Sequence, residues 1–284
     1  MNTLKMVIPK GRLADKILIL LEECGYGIIS KGRNLKPLCR DPQIEVKIMK
    51  PQNIPFLLEV GSHDVGFTGW DWCAETGAYP LELMDLQYDC VRIVAAIPND
   101  VELEELQQRK IVAVSEYVNI ADNYLRSQNF DYRLLRVFGA TEVFPPDDAD
   151  LIIDNTSSGS TLKDNNLKII AEIMQSSTRF LASKKVMADT FKMKKVEEMK
   201  LLFQSVITAR GKVMLEMNVP NNKVDSIIPT LPAMGSPTIS KLYGDAGYAV
   251  KIVLEKQEAV KLIPFLKEQG VRDILEYRID KVVI

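Results

Sequence analysis

Residues 150–167 place an acid, a row of hydroxyls and one glycine at the end of a short apolar run. Leu151, Ile152 and Ile153 read as the end of a buried strand, and Asp154 follows at once. Asn155, Thr156, Ser157, Ser158, Gly159, Ser160 and Thr161 then lead into a helical turn. Glycine lets backbone approach a ligand, and the amides of the following turn point at an anion. Ser157, Ser158, Ser160 and Thr161 add hydroxyl donors. Asp154 can hold the two hydroxyls of a ribose, as an acid at a strand end does in dinucleotide sites. The combination suits a sugar phosphate. The competing reading is a polar surface loop with a Ser or Thr cap on a short helix.

Two other strand-to-helix junctions share this style. In Ile8-Pro9-Lys10-Gly11-Arg12-Leu13, two cations flank a glycine just before a helix. Amides and cations together make an anion site there; the alternative is an exposed basic turn. In Gly66-Phe67-Thr68-Gly69-Trp70-Asp71-Trp72, two glycines leave room for a ligand and Trp70 offers a flat face. The alternative is a helix capped by Asp71 with the tryptophans in the core, the reading preferred for Trp72. All three junctions are expected on one edge of a parallel sheet, converging on one cleft. Ser115-Glu116-Tyr117 follows a strand and can border that cleft, and Lys50 can reach a phosphate. Glu142 reads as a solvated loop acid in preference to a base. Neither a Walker A loop nor a Gly-x-Gly-x-x-Gly run occurs.

These junctions need a scaffold. Strands are expected at 4–8, 45–49, 64–68, 91–97, 110–114, 133–138 and 150–153, alternating with helices at 13–24, 51–59, 101–109 and 119–128. Such alternation specifies a parallel-rich α/β sheet with ligands at strand ends. Two strands, 167–174 and 179–182, precede a long helix at 189–209 capped by Asp189. From Lys212 the order is βαββαβ, the ferredoxin-like split unit. It has strands at 213–219, 236–242, 248–255 and 273–284, and helices at 221–231 and 257–267. Pro264 falls inside the last helix, at a cost of about 3 kcal/mol or a kink.

Composition narrows the classes. Apolar residues make up 46%, charged residues 26%, and the net charge is −2, which suits a globular protein without a general polyanion role. The apolar part of the N-terminal run is too short for a signal peptide and no run spans a membrane, so a cytoplasmic protein is expected. Cys24, Cys39, Cys73 and Cys90 lack Cys-x-x-Cys spacing and read as free thiols. His63, the single histidine, excludes His-rich metal sites and reads as a turn residue.

In order, Ile8–Leu13, Gly66–Asp71, Gly139-Ala140-Thr141-Glu142-Val143, the loop from Asp154 to Leu162 and Ser236-Pro237-Thr238-Ile239-Ser240 resemble the ATP phosphoribosyltransferases in their long form, across the whole chain. The family catalyses the first step of histidine biosynthesis. The resemblance implies attack of adenine N1 of ATP on the anomeric carbon of phosphoribosyl pyrophosphate, with Mg²⁺ at the departing pyrophosphate. It implies phosphoribosyl pyrophosphate on Asp154, Thr156, Ser157, Ser158, Gly159, Ser160 and Thr161. It places Lys10 and Arg12 with Asp154 among the catalytic groups. Gly11, Gly69, Asp71 and Glu116 line the ATP side. It further implies feedback inhibition by L-histidine bound at Met234, Ser236 and Thr238, and homo-oligomers from dimer to hexamer. The alternative for Ser236 to Thr238 is a plain turn into a strand. The implied fold is a two-lobed, periplasmic-binding-protein-like catalytic part plus a ferredoxin-like regulatory domain. Lobe I is 1–92 with 183–211, lobe II is 93–182 and the regulatory domain 212–284, with crossings near Arg92 and Ala182. Two positions depart from the family pattern: Ser158 stands where threonine often precedes the glycine, and Val118 where proline is usual.

Rival readings are a solute-binding or sensor protein, the short form of the same enzyme, and a phosphoribosyltransferase for another base. The Asp154 loop speaks against the first and the tail after Lys212 against the second. The lone acid before the loop, where the usual type carries two, speaks against the third.

Overall fold

Apolar runs alternate with amphipathic stretches, and the backbone follows them. The computed structural model describes residues 2–29 and 34–284. By internal contacts the chain divides into Met1–Glu197 and Glu198–Ile284. The first unit opens with β1 (Leu4–Pro9), α1 (Arg12–Glu23), β2 (Ile28–Ile29), β3 (Leu38–Cys39), β4 (Ile44–Met49) and α2 (Ile54–Glu59). It continues with β5 (Val65–Gly69), α3 (Trp70–Thr76), β6 (Leu81–Pro98), α4 (Leu103–Gln107), β7 (Ile111–Ser115) and α5 (Val118–Ser127). It closes with β8 (Tyr132–Arg136), β9 (Leu151–Thr156), α6 (Ser160–Asp164) and β10 (Leu167–Ala182). In α1, Ile17, Leu20 and Leu21 are buried at helical spacing, so one stripe faces the sheet.

These strands form one sheet in the order β2-β3-β4-β1-β5-β10-β6-β9-β7-β8. β1 runs parallel to β4 and β5, and β7 runs parallel to β8 and β9. The two parallel sets are joined by antiparallel steps, β5 to β10, β10 to β6 and β6 to β9. Three reversals make β9 run opposite to β5. The expectation of one common strand edge is therefore corrected: the first two junctions leave one edge and the Asp154 loop leaves the opposite one. Strand direction is set by pairing partners, which local sequence does not specify.

β6 and β10 are single strands of 18 and 16 residues that traverse both halves. Sequence reading gave only the second part of β6 and broke β10 in two. The reason lies in polar residues at the crossing. Gln87 and Asp89 take positive φ, and the β6–β10 register shifts between Ser176 and Thr178. Ser176, Ser177 and Thr178 are buried yet look like turn residues in sequence. β10 pairs with β5 from Thr178 onward, so the second crossing lies upstream of the expected Ala182.

α7 (Thr190–Ala209) contains the division between the units. Asp189 caps it, accepting from the Lys192 N–H at 3.1 Å. The second unit adds β11 (Lys212–Val219), α8 (Val224–Ile227), β12 (Thr238–Lys241), β13 (Tyr248–Glu255), α9 (Lys256–Glu268) and β14 (Arg272–Arg278). Its sheet order is β12-β13-β11-β14, all antiparallel, which is the ferredoxin-like arrangement. Val213, Leu215, Met217 and Val219 alternate inward and pack on Val250, Ile252, Ala259 and Leu266. α9 continues through Pro264. The closing strand is shorter than expected and ends at Arg278.

Candidate active site

At the end of β9, Leu151, Ile152 and Ile153 are fully buried and Asp154 emerges half-buried. Both carboxylate oxygens are engaged. Thr141 Oγ1 donates to Oδ2 at 2.5 Å. The Asn155 N–H and side-chain amide donate to Oδ1 at 2.6 and 3.1 Å. Burial pushes the Asp154 pKa up, the Thr141 and Asn155 bonds pull it down, and the charges of Glu116 and Glu142 push it up again. Beyond it, Gly159 takes φ of 80° to enter α6. Its N–H donates to Thr156 Oγ1 at 3.0 Å. The Ser158 and Ser160 hydroxyls lie 2.9 Å apart. Ser157, Ser158, Ser160 and Thr161 face solvent. The loop is thus held by its own hydroxyls, with more hydroxyls presented outward.

At the second junction neither glycine has room for a side chain. A Cβ on Gly66 would collide with Val7, and one on Gly69 with Oδ1 of Asp71. Asp71, expected on the ATP side, is buried. Ser176 Oγ donates to its Oδ1 at 2.6 Å and Tyr117 Oη to its Oδ2 at 2.8 Å. Trp72 sits in the core of the second half, stacked on Tyr117 at 4.6 Å. Trp70 meets Tyr79 edge-on at 6.2 Å.

At the first junction Gly11 has φ of 93° and precedes α1. The Lys10 side chain is exposed, and its N–H donates to the Met49 carbonyl at 2.6 Å. Arg12 is 79% exposed, with Nε 3.9 Å from Asp89, while Lys16 pairs with Asp89 at 2.9 Å. Glu116, in the second half, accepts from Gln52 Nε2 of the first half at 3.0 Å. A cavity of about 510 Å³ lies beside this bridge, lined by Met49, Gln52, Phe56, Trp72, Asn119 and Arg136 among others. Lys50 is exposed before α2.

Sequence reading gave no individual role to Thr141, Asn155 or Tyr117 and did not single out Ser176. Thr141 lay inside the quoted Gly139–Val143 stretch, where Glu142 drew attention instead. Asn155 and Tyr117 also lay inside quoted stretches, but their link to each other and that of Ser176 to Asp71 join residues distant in the chain. His63 lies half-buried in a turn, its pKa lowered by burial and by Lys47 and Lys5. None of the four cysteines forms a disulfide. Among the described residues no group of three His, Cys, Asp or Glu can hold a metal ion, and no helix is long and apolar enough to cross a membrane. In the second unit, Met234, Ser236 and Thr238 come together around a cavity of about 340 Å³, with Met214 and Lys251 on its wall.

Two parallel sets of opposite direction, joined by two crossing strands, define a periplasmic-binding-protein-like α/β body, and a ferredoxin-like unit follows it in the sequence. Comparison with known proteins specifies more. The HisG family, described as ATP phosphoribosyltransferase, matches residues 50–205, and its C-terminal domain matches residues 209–281. The ATP phosphoribosyltransferase of Desulforudis audaxviator is 36% identical over 99% of both chains. That of Chlorobium phaeovibrioides is 37% identical over 99% of this chain and 98% of its own. Among solved structures, an ATP phosphoribosyl transferase (HisG:HisZ) complex from Thermotoga maritima is similar with a TM-score of 0.64 at 25% identity, covering 71% of this chain and 99% of that one. The chain belongs to the ATP phosphoribosyltransferase family, in the long form that carries the C-terminal domain.

Proposed function

We propose that the Asp154 loop binds phosphoribosyl pyrophosphate, with the ribose hydroxyls on Asp154 and the 5-phosphate on residues 156–161. The observation that carries this is the Asp154 carboxylate, oriented through both oxygens by Thr141 and Asn155 beside a rim of exposed hydroxyls. ATP enters between the halves, where Gln52 of the first meets Glu116 of the second, with Lys10, Gly11 and Arg12 at its phosphates or at the departing pyrophosphate. Gly69 and Asp71 act beneath this surface rather than on the nucleotide.

Adenine N1 supplies the electron pair that bonds to the anomeric carbon as the bond to pyrophosphate breaks. N1 is already nucleophilic, so the protein's task is alignment and charge compensation. Asp154 fixes the ribose so that its anomeric carbon faces the cleft. Its charge, next to those of Glu116 and Glu142, favours positive character developing on the sugar. The described residues fit a Mg²⁺ brought in on substrate phosphates, which this ion commonly uses as ligands, rather than a cage built by protein. When bound, it would neutralise charge on the departing pyrophosphate.

The second-unit cavity is the histidine site in this proposal. Thr238 and Ser236 offer hydroxyls to the amino acid's charged ends, and Lys251, paired with Glu216 at 3.3 Å, offers a cation. The test is ultraviolet detection of phosphoribosyl-ATP from ATP, phosphoribosyl pyrophosphate and Mg²⁺, with and without L-histidine. Product formation suppressed by histidine is expected. Turnover indifferent to histidine would remove the regulatory assignment. No product with a pyrophosphatase present would remove the catalytic one.

A further inference from the structure

Asp71 and Tyr117 belong to different junctions, yet they share one hydrogen-bond chain, buried at Asp71 and open to solvent at Asn155, that reaches Asp154. Ser176 Oγ donates to Asp71 Oδ1 at 2.6 Å and Tyr117 Oη to Asp71 Oδ2 at 2.8 Å. The Asn155 amide then donates to Tyr117 Oη at 3.1 Å and to Asp154 Oδ1 at 3.1 Å. The direction of this chain is fixed chemically. A carboxylate only accepts, so both hydroxyls must point their protons at Asp71. Tyr117 Oη is left with lone pairs alone, which only the NH₂ side of Asn155 can meet. That orients the amide, and its second proton falls on Asp154. Burial and the charge of Asp71 both hold Tyr117 in its neutral, donating form. The other end of the chain sits on β10 where its register against β6 shifts, and Tyr117 is locked by its stack on Trp72.

We propose that Asp71, Tyr117 and Asn155 form a directional relay that positions the Asp154 carboxylate for ribose binding, which makes Asp71 and Tyr117 positioning residues of phosphoribosyl transfer. This rests on the ribose assignment of Asp154 made above. Asp71→Asn is the discriminating change, being nearly isosteric. An amide can donate to Tyr117 and so permits the chain to reverse, turning the Asn155 carbonyl toward Asp154. Tyr117→Phe keeps the ring stack and removes the link.

The experiment measures phosphoribosyl pyrophosphate affinity by calorimetry with Mg²⁺, and the melting temperature, on the full chain. Asp71→Asn, Tyr117→Phe and Asp154→Ala are compared singly, and each of the first two is also combined with the third. Loss of one correctly oriented hydrogen bond to a charged group predicts affinity about tenfold weaker for each of the first two. The melting temperatures show whether weaker binding in a variant is accompanied by loss of fold. In the Asp154→Ala background neither change should weaken affinity by more than about twofold. Equal weakening with and without Asp154 would overturn the relay and leave a general packing role. Wild-type affinity in both single variants would overturn it as well. Wild-type affinity in Asp154→Ala would instead remove the ribose assignment on which the relay depends.

Discussion

Glu75→Ala tests how firmly α3 is tied to the second half of the sheet. Glu75 is buried one helical turn after Asp71 and reaches the start of α5, which has no side-chain cap of its own. Its carboxylate accepts from the Asn119 N–H at 3.1 and 3.0 Å and from the Ile120 N–H at 3.1 Å. It therefore caps a helix from outside that helix. After truncation the amide of exposed Asn119 can turn to water, but that of Ile120 is buried and loses its acceptor. An orphaned buried amide costs about 1–3 kcal/mol, and loss of a carboxylate from a helix N-terminus adds roughly 0.3–1 kcal/mol. Part of this is returned, because burial pushes the Glu75 pKa up despite those bonds, so its ionised form already carries a desolvation cost. A net loss of about 2 kcal/mol is expected, a fall of roughly 4–8 °C in melting temperature for a domain of this size. Glu75→Gln keeps a carbonyl acceptor and should lose about 1 kcal/mol or less. Urea unfolding gives the energies, and hydrogen exchange at Ile120 and Ala121 localises them. A Glu75→Ala variant with an unchanged urea midpoint and unchanged exchange at these amides would refute the capping argument.

Other outcomes follow from the same geometry. Because burial raises the Asp154 pKa above its unfolded value, the folded chain favours the protonated acid; that stability is complete in acid and is lost as pH rises through the folded value. Asp154→Asn should therefore be more stable than wild type near neutral pH, with the gain fading in acid, as thermal melts across pH will show. Gly69→Ala would drive a methyl group into Asp71 and separate it from Tyr117 and Ser176. It should lower both stability and turnover, by about 1–3 kcal/mol for overpacking, measured by melting and by product formation. Thr238→Ala should weaken inhibition by histidine about tenfold, as expected for one hydrogen bond to a charged ligand, while uninhibited turnover stays constant; dose–response curves decide this.

Much of this architecture was legible in the residues. Leu151 to Ile153 followed by Asp154 announce a buried strand with a polar end, and that is where the loop sits. The alternation of Val213 to Val219 marks the first tail strand, and apolar periodicity around Pro264 carried the helix through a proline. Three features were hidden for physical reasons. Strand direction in β9 depends on pairing with β6, which short-range pattern does not encode. Ser176 and Thr178 look like loop residues because hydroxyls suit turns, whereas here they lie buried within a strand that shifts register against β6 and gains β5 as a second neighbour. Asp71 looked like a cap or a ligand group because it opens a helix. Its buried role shows only when Tyr117 and Ser176, remote in sequence, are brought against it. Gly69 reads as room for a substrate, and the structure adds that a side chain there would meet Asp71.

The central claim is that Asp154 holds the phosphoribosyl group during transfer to ATP. Its most direct test is turnover of Asp154→Ala beside wild type, with saturating ATP, phosphoribosyl pyrophosphate and Mg²⁺ and with circular dichroism to confirm the fold. Loss of a single preorganised group at the reacting sugar predicts a rate at least about a hundredfold lower with the spectrum unchanged. A folded Asp154→Ala protein turning over near the wild-type rate would contradict the account.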